Sequence, residues 1–151
     1  MIKCIRAASG NKDFQRLVTE LDADLRIRDG GENSFYAQFN KIDTIKYAIV
    51  AYDNETPVGC GAIKEYSEDT MEVKRMYVSI NKRGQGIAST VLKELENWAA
   101  ALKYAKCILE TGKKQSEAIA LYKKNNYKII PNYGQYENVE NSICFEKKLT
   151  K

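Results

Sequence analysis

Residues 71–102 read MEVKRMYVSINKRGQGIASTVLKELENWAAAL. The run from Thr70 to Ile80 has the composition of a long strand, while Ile87, Val91, Leu92, Leu95, Trp98, Ala99 and Leu102 recur at the spacing of one helix face. Gly84 and Gly86 stand between the two patterns. The apolar run Lys106 to Glu110 follows the helix, so the whole segment is a β-α-β crossover, which within one sheet is parallel and right-handed. No other feature restricts the fold as much, because it commits the chain to helices layered on a sheet. Two readings of the glycines stay open here. They supply positive φ for a tight connection, or they bare backbone N–H groups at a helix start so that an anion can bind there.

The remaining segments fit around this crossover. Ile2 to Ala7 reads as a first strand. Phe14, Leu17, Val18, Leu21 and Leu25 mark an amphipathic helix from about Asn11 to Arg28, stopped by Gly30 and Gly31. ENSFYAQFN is ambiguous and has the features of a short second helix. Lys46 to Tyr52 and Pro57 to Tyr66 form a hairpin across Asp53-Asn54-Glu55. Ser116 to Lys124 is a helix N-capped by Ser116, and Tyr127 to Ile130 and Ser142 to Lys148 are closing strands. The fold class is α+β, a three-layer arrangement with one large mixed sheet, and residues 1–151 make a single domain with no linker and no repeat.

Composition removes whole classes of chemistry. The chain contains no histidine, so Ser-His-Asp and Cys-His nucleophiles and His-ligated metals are excluded. Cys4, Cys60, Cys107 and Cys144 lie singly in apolar segments, without the paired spacing of a zinc site, and read as buried hydrophobes in a reducing compartment. No metal is expected. Net charge is +4 with the charges interspersed, which gives nucleic acid little support as a partner. There is no long apolar run and no signal-like start, so no membrane association is expected and the expected location is the cytoplasm.

Three phosphate motifs compete for the turn. A dinucleotide fingerprint requires a third glycine where Ser89 stands, and a Walker A loop requires residues that Thr111-Gly112-Lys113-Lys114 lacks. Arg83-Gly84-Gln85-Gly86-Ile87-Ala88 fits R-x-x-G-x-[GA], the acyl-CoA pyrophosphate loop of the GNAT family of N-acetyltransferases. The preceding EVKRMYV, the following IASTVLKELENWA, CILETG, QSEAIALYKKNNY and the late ICFEKKL are similar to family segments in the same order. The resemblance runs from about Tyr47 to the C-terminus, with a weaker match of the first strand and helix.

The resemblance implies a mostly antiparallel sheet in which the fourth and fifth strands splay apart, and acetyl-CoA (coenzyme A) as cofactor. Its pantetheine arm is expected along Met76, Tyr77 and Val78, and its pyrophosphate on the amides of Gly84, Gln85, Gly86, Ile87 and Ala88 near the Ser89 hydroxyl. Arg83 is then a rim cation or an ordinary surface charge, and Gln115 stands where many members have Asn against the cofactor arm. Tyr122, in LYKKNNY, is similar to the family tyrosine that assists the departing thiolate. Val78 is the expected amide for the developing oxyanion. Simple strand alternation places Glu72, Lys74, Met76 and Val78 on one face and Val73, Arg75 and Tyr77 on the other. Glu72 is similar in position to the general base of some members; the alternative is an exposed strand glutamate paired with a lysine. The expected activity is direct acetyl transfer to a primary amine of a small molecule or protein. The acceptor cleft is expected between Leu25 to Asn40 and the loop Pro131 to Tyr136, with Asp24, Asp29 and Glu32 able to draw a cation. The rival is a non-catalytic acyl-CoA-binding or nucleic-acid-associated module on the same fold. A homodimer is compatible with such a fold and nothing in the sequence fixes it.

Overall fold

A computed structural model describes residues 1–29 and 45–149 of the chain. Seven strands, β1 (Ile2–Ala7), β2 (Tyr47–Asp53), β3 (Thr56–Ser67), β4 (Thr70–Val78), β5 (Lys106–Gly112), β6 (Lys128–Ile130) and β7 (Ser142–Lys148), form one sheet in the order β1-β2-β3-β4-β5-β7-β6. Only β4 and β5 pair in parallel; all other neighbours are antiparallel. Among the described residues the helices are α1 (Lys12–Asp29), α2 (Ile87–Ala101) and α3 (Ser116–Lys124). This is the expected α+β fold, and the crossover from β4 through α2 to β5 is its parallel element. The segment ENSFYAQFN lies outside the described residues, as does Glu32.

Burial on both faces explains why β2 reads as the continuous apolar run YAIVAY. Ile49 and Ala51 pack beneath Val91, Leu92, Leu95 and Ala99 of α2, whereas Ala48 and Val50 pack beneath Phe14, Leu17, Val18 and Leu21 of α1. The start of α1 is fixed by Asn11, whose Oδ1 accepts a hydrogen bond from the Phe14 N–H at 2.9 Å. In α3 the expected Ser116 cap is corrected: Gln115 is the N-cap, without a side-chain cap hydrogen bond, and Ser116 is the first helical residue. Asn126 follows α3 at φ 73°, the left-handed stop that asparagine tolerates. Leu102 falls at the C-cap of α2 and is exposed, so the apolar face ends one turn earlier than its spacing suggests.

A bulge corrects the expected alternation of β4. Its register against β3 shifts between Cys60 and Ala62, and Arg75 takes φ 62°. One extra residue reverses every later side chain. Met71 and Val73 share the α2 face with Met76 and Val78, while Tyr77 joins Cys60 and Ala62 on the α1 face. Lys74 is opposite Ala62 in the register, so Glu72 and Lys74 also belong to the α1 face, apart from Met76 and Val78.

Candidate active site

The ladder between β4 and β5 stops early. Thr70, Met71 and Glu72 pair with Lys106, Cys107 and Ile108, after which the strands part, although β4 continues to Val78 and β5 to Gly112. The parting opens a cavity of about 490 Å³, within the range of small-molecule sites. Its walls come from β4, the glycine turn, the start of α2, the end of β5 and α3.

Backbone direction along β4 determines which groups the cavity can use. The Ser79 N–H donates to the Val58 carbonyl of β3 at 2.9 Å, and a Cβ on Gly59 would sit 3.2 Å from the Tyr77 carbonyl oxygen. Tyr77 and Ser79 therefore face β3, and the alternation of an extended strand turns the backbone of Met76 and Val78 toward the cavity. Of the three edge residues expected to meet the cofactor arm, Tyr77 gives β3 its backbone, and its hydroxyl donates to Glu20 of α1 at 3.3 Å.

After β4, a single 3-10 turn (Ile80–Lys82) leads into the glycines. Gly84 lies at φ 80° and Gly86, the N-cap of α2, at φ 82°. A Cβ at either position would meet nothing within 4 Å, so conformation and not crowding demands glycine there. Gly84, Gly86, Ile87, Ala88 and Ser89 line the cavity, while the exposed Gln85 is not part of its wall. The Ser89 hydroxyl accepts from Asn125 Nδ2 at 3.1 Å, which ties the first turn of α2 to the end of α3.

Arg83 lines the cavity and is held there by protein groups, so it is not an ordinary solvated charge. Its Nε donates to the Val78 carbonyl at 2.8 Å, its Nη2 donates to Asp24 at 3.2 Å, and the guanidinium lies 5.5 Å from the centre of the Tyr77 ring. It clasps α1 to the open edge of β4, and Asp24 is committed to that pair.

Tyr122 lines the cavity from α3 and is buried among rings, with Tyr127 and Phe145 each 5.7 Å away between centroids. Burial, and then the charge of Glu110, push its phenol pKa above the usual value. Gln115 is buried at the same wall.

The opposite side of the cavity is polar. Glu72 is 7% exposed, which excludes the exposed strand glutamate. Its Oε2 accepts from the Tyr133 hydroxyl at 2.6 Å, and Lys74 Nζ lies 3.7 Å from its Oε1. Burial, then the charge of Glu72 and its hydrogen bond, raise the Tyr133 phenol, so Tyr133 stays the donor. Its ring meets Tyr66 and Tyr136 edge-on at 5.1 and 5.7 Å. Glu110 accepts from the Ser142 hydroxyl at 2.5 Å. The loop 131–136 thus reaches the site as expected, with Tyr136 in the cavity wall and Tyr133 on Glu72. Leu21, Asp24 and Leu25 bring α1 to the same cavity.

A family model for the acetyltransferase (GNAT) family matches residues 14–127. The chain belongs to the GNAT acetyltransferase family. The match begins inside α1, where the resemblance read from the sequence is weaker, and stops before β6 and β7, short of the C-terminal reach of that resemblance. An IAA acetyltransferase of Azospirillum brasilense is 38% identical over 102 residues, 67% of each chain. A solved structure from Klebsiella pneumoniae subsp. pneumoniae, named for the acyl-CoA N-acyltransferases, superposes with a TM-score of 0.83 at 30% identity over 99% of both chains. The PaiA N-acetyltransferase of Thermoplasma acidophilum, solved in complex with coenzyme A, has the same fold at 18% identity, with a TM-score of 0.73 over 98% of this chain and 99% of that one.

In this GNAT domain the expected site residues converge on one cavity, with Gln85 outside its wall and Tyr77 in the wall but with its backbone given to β3. The sequence reading gave Lys74 no role, placed Tyr133 in the loop over the acceptor cleft without joining it to Glu72, and gave Asp24 to a cationic acceptor where the structure pairs it with Arg83. Lys74 carried a signal, since period-two alternation already put it on the face of Glu72. The pairings of Tyr133 and Asp24 carried none, since the two residues lie 61 and 59 residues from their partners.

Proposed function

We propose that the chain is an N-acetyltransferase that moves an acetyl group from acetyl-CoA directly to a primary amine while both are bound. The observation that carries this is one cavity whose wall combines a helix N-terminus opened by glycines, the unpaired edge of β4, Tyr122 and Glu72. The donor set fits the cofactor: N–H groups of Gly86 to Ser89 at the positive end of α2 suit a pyrophosphate, and the free strand edge suits an amide-bearing arm. Bound acetyl-CoA supplies an activated acyl carbon with a thiolate leaving group.

The chain's own groups then divide the work. Glu72 receives the proton of the attacking ammonium, whose pKa near 10.4 for a lysine-like amine keeps it charged at neutral pH. The Val78 N–H donates to the oxygen on which charge develops, and the cavity wall keeps the reactants aligned. Tyr122 donates a hydrogen bond to the departing sulfur. Its pKa lies above the usual phenol value, already about 1.5 units above a thiol. The proton therefore stays on oxygen: Tyr122 solvates the thiolate, and the second proton shed by the nitrogen as it becomes an amide neutralises that thiolate. Four unpaired cysteines, with Cys60 and Cys107 thiols pushed up to about 12 by burial, offer no nucleophile for a covalent route.

No helix among the described residues is long and apolar enough to cross a membrane. The test is thermal unfolding with acetyl-CoA, coenzyme A, NAD and ATP in parallel, followed by coenzyme A release with an amine panel. A ligand at 100 times its dissociation constant adds about 2.7 kcal/mol, or roughly 5 to 10 °C here. Shifts with the two coenzyme A species and release with an amine support the proposal. Stabilisation without release from any amine identifies a binding module, and a larger shift with NAD or ATP removes the assignment.

A further inference from the structure

Lys74 has no task in the mechanism above. Its side chain is 8% exposed and that of Glu72 is 10%, and both residues line the cavity. The contact that holds the ammonium is the 3.7 Å approach to Glu72 Oε1, longer than an N–H···O hydrogen bond, while Tyr133 occupies the other oxygen at 2.6 Å. An ammonium carries three donors and is costly to bury without partners that satisfy them. Desolvation lowers the Lys74 pKa; Glu72 and, more weakly, Glu110 oppose that, whereas Lys64 and Arg75 add to it.

A second buried cation adjoins it. Arg75 also lines the cavity, and although its Nη1 reaches Asp22 at 3.1 Å, its buried Nε has no hydrogen-bond partner. The α1 side of β4 therefore presents, in succession, a carboxylate, a half-satisfied ammonium and a guanidinium with an unmet N–H.

We propose that the acceptor is an amino carboxylate, the class of the free amino acids, with its carboxylate bound by Lys74 and its amine facing Glu72. In an α-amino acid the two opposite charges are separated by one carbon, and the Glu72–Lys74 pair presents the complementary charges 3.7 Å apart. Polyamines and other polycations are disfavoured, because a second ammonium would face Lys74 and Arg75. Arg75 reinforces the positive potential at the carboxylate end. The proposal rests on the cavity being an acetyl-transfer site.

The experiment compares amino acids with their carboxamides, which keep the amine and lose the negative charge, by coenzyme A release. The wild type should favour the acid over its amide by about tenfold or more in kcat/KM, the scale of a hydrogen bond to a charged group. Lys74→Met should collapse that ratio toward one, and Lys74→Arg should restore most of it, with ligand-free unfolding midpoints confirming that both variants fold. Equal use of acid and amide by the wild type, preference for a polyamine, or an unchanged ratio in Lys74→Met overturns the proposal. If no amine releases coenzyme A, the transfer reading fails. Calorimetry of the same acid and amide pairs then still tests the Lys74 site, whose acid preference must vanish in Lys74→Met.

Discussion

The two halves of β4 carry similar residues and do different work. From Thr70 to Glu72 the strand is laddered to β3 on one side and β5 on the other, and Met71 is fully buried. Beyond the bulge Tyr77 and Val78 are laddered to β3 alone, and Met76, on the same face as Met71, is only partly buried. Val73, Lys74 and the left-handed Arg75 lie between them. Such a conformation costs an L-residue about 1–2 kcal/mol, and the Arg75–Asp22 contact on α1 accompanies it. The comparison teaches that the strand changes from scaffold to site through its backbone, by leaving amides unpaired, with no change in side-chain character.

The largest effect is expected at the boundary between the halves. Glu72→Gln should lower kcat by about 10²- to 10⁴-fold, the usual contribution of a positioned base, in steady-state assays with a saturating acceptor. Activity near the wild-type level would leave Glu72 a purely structural residue of the sealed half. Next, Met71→Ala should destabilise the protein by about 2–5 kcal/mol in urea unfolding, the cost of a cavity in a closed core. Met76→Ala should cost well under half of that, and equal losses would break the comparison outright.

A smaller change is expected for Tyr122→Phe: kcat lower by about tenfold, as for one hydrogen bond to a developing charge, with KM little altered. Because burial raises the phenol pKa, the hydroxyl stays protonated through neutral and mildly alkaline pH, and the loss should be constant there. A loss confined to one limb of the pH profile would make Tyr122 an acid instead. The smallest effect is a null one in the sealed half. Cys107 pairs with Met71, and its thiol is pushed up to about 12, chiefly by burial, so little thiolate forms below that pH. Alkylation of Cys107 at pH 7 to 9 should follow unfolding alone, and fast native-state labelling would show that this half opens.

Much of the scaffold was legible along the chain. The strand and helix periods of β1, β2, α1 and α2 and the Asp53-Asn54-Glu55 hairpin follow from rules that act within a few residues. The glycine turn was legible for the same reason, since positive φ at Gly84 and Gly86 is a local requirement that only certain residues meet. The β4 bulge was not legible, because EVKRMYV contains no glycine or asparagine to mark a left-handed residue, and arginine is a poor signal for one. The missed bulge misassigned the faces of Met76, Val78 and Tyr77.

The sequence by itself determined the layered α+β fold, the exclusion of histidine chemistry and the glycine turn that opens α2, because each depends on composition or on neighbours within one or two turns of chain. Only the tertiary structure decided which groups meet in the cavity. Tyr133 on Glu72, Asp24 on Arg83 and the amides freed where β4 leaves β5 depend on the closure of segments 61, 59 and 36 residues apart. No local preference encodes such contacts; they exist because packing α1, the sheet and the 131–136 loop together leaves those side chains no other way to be both buried and paired.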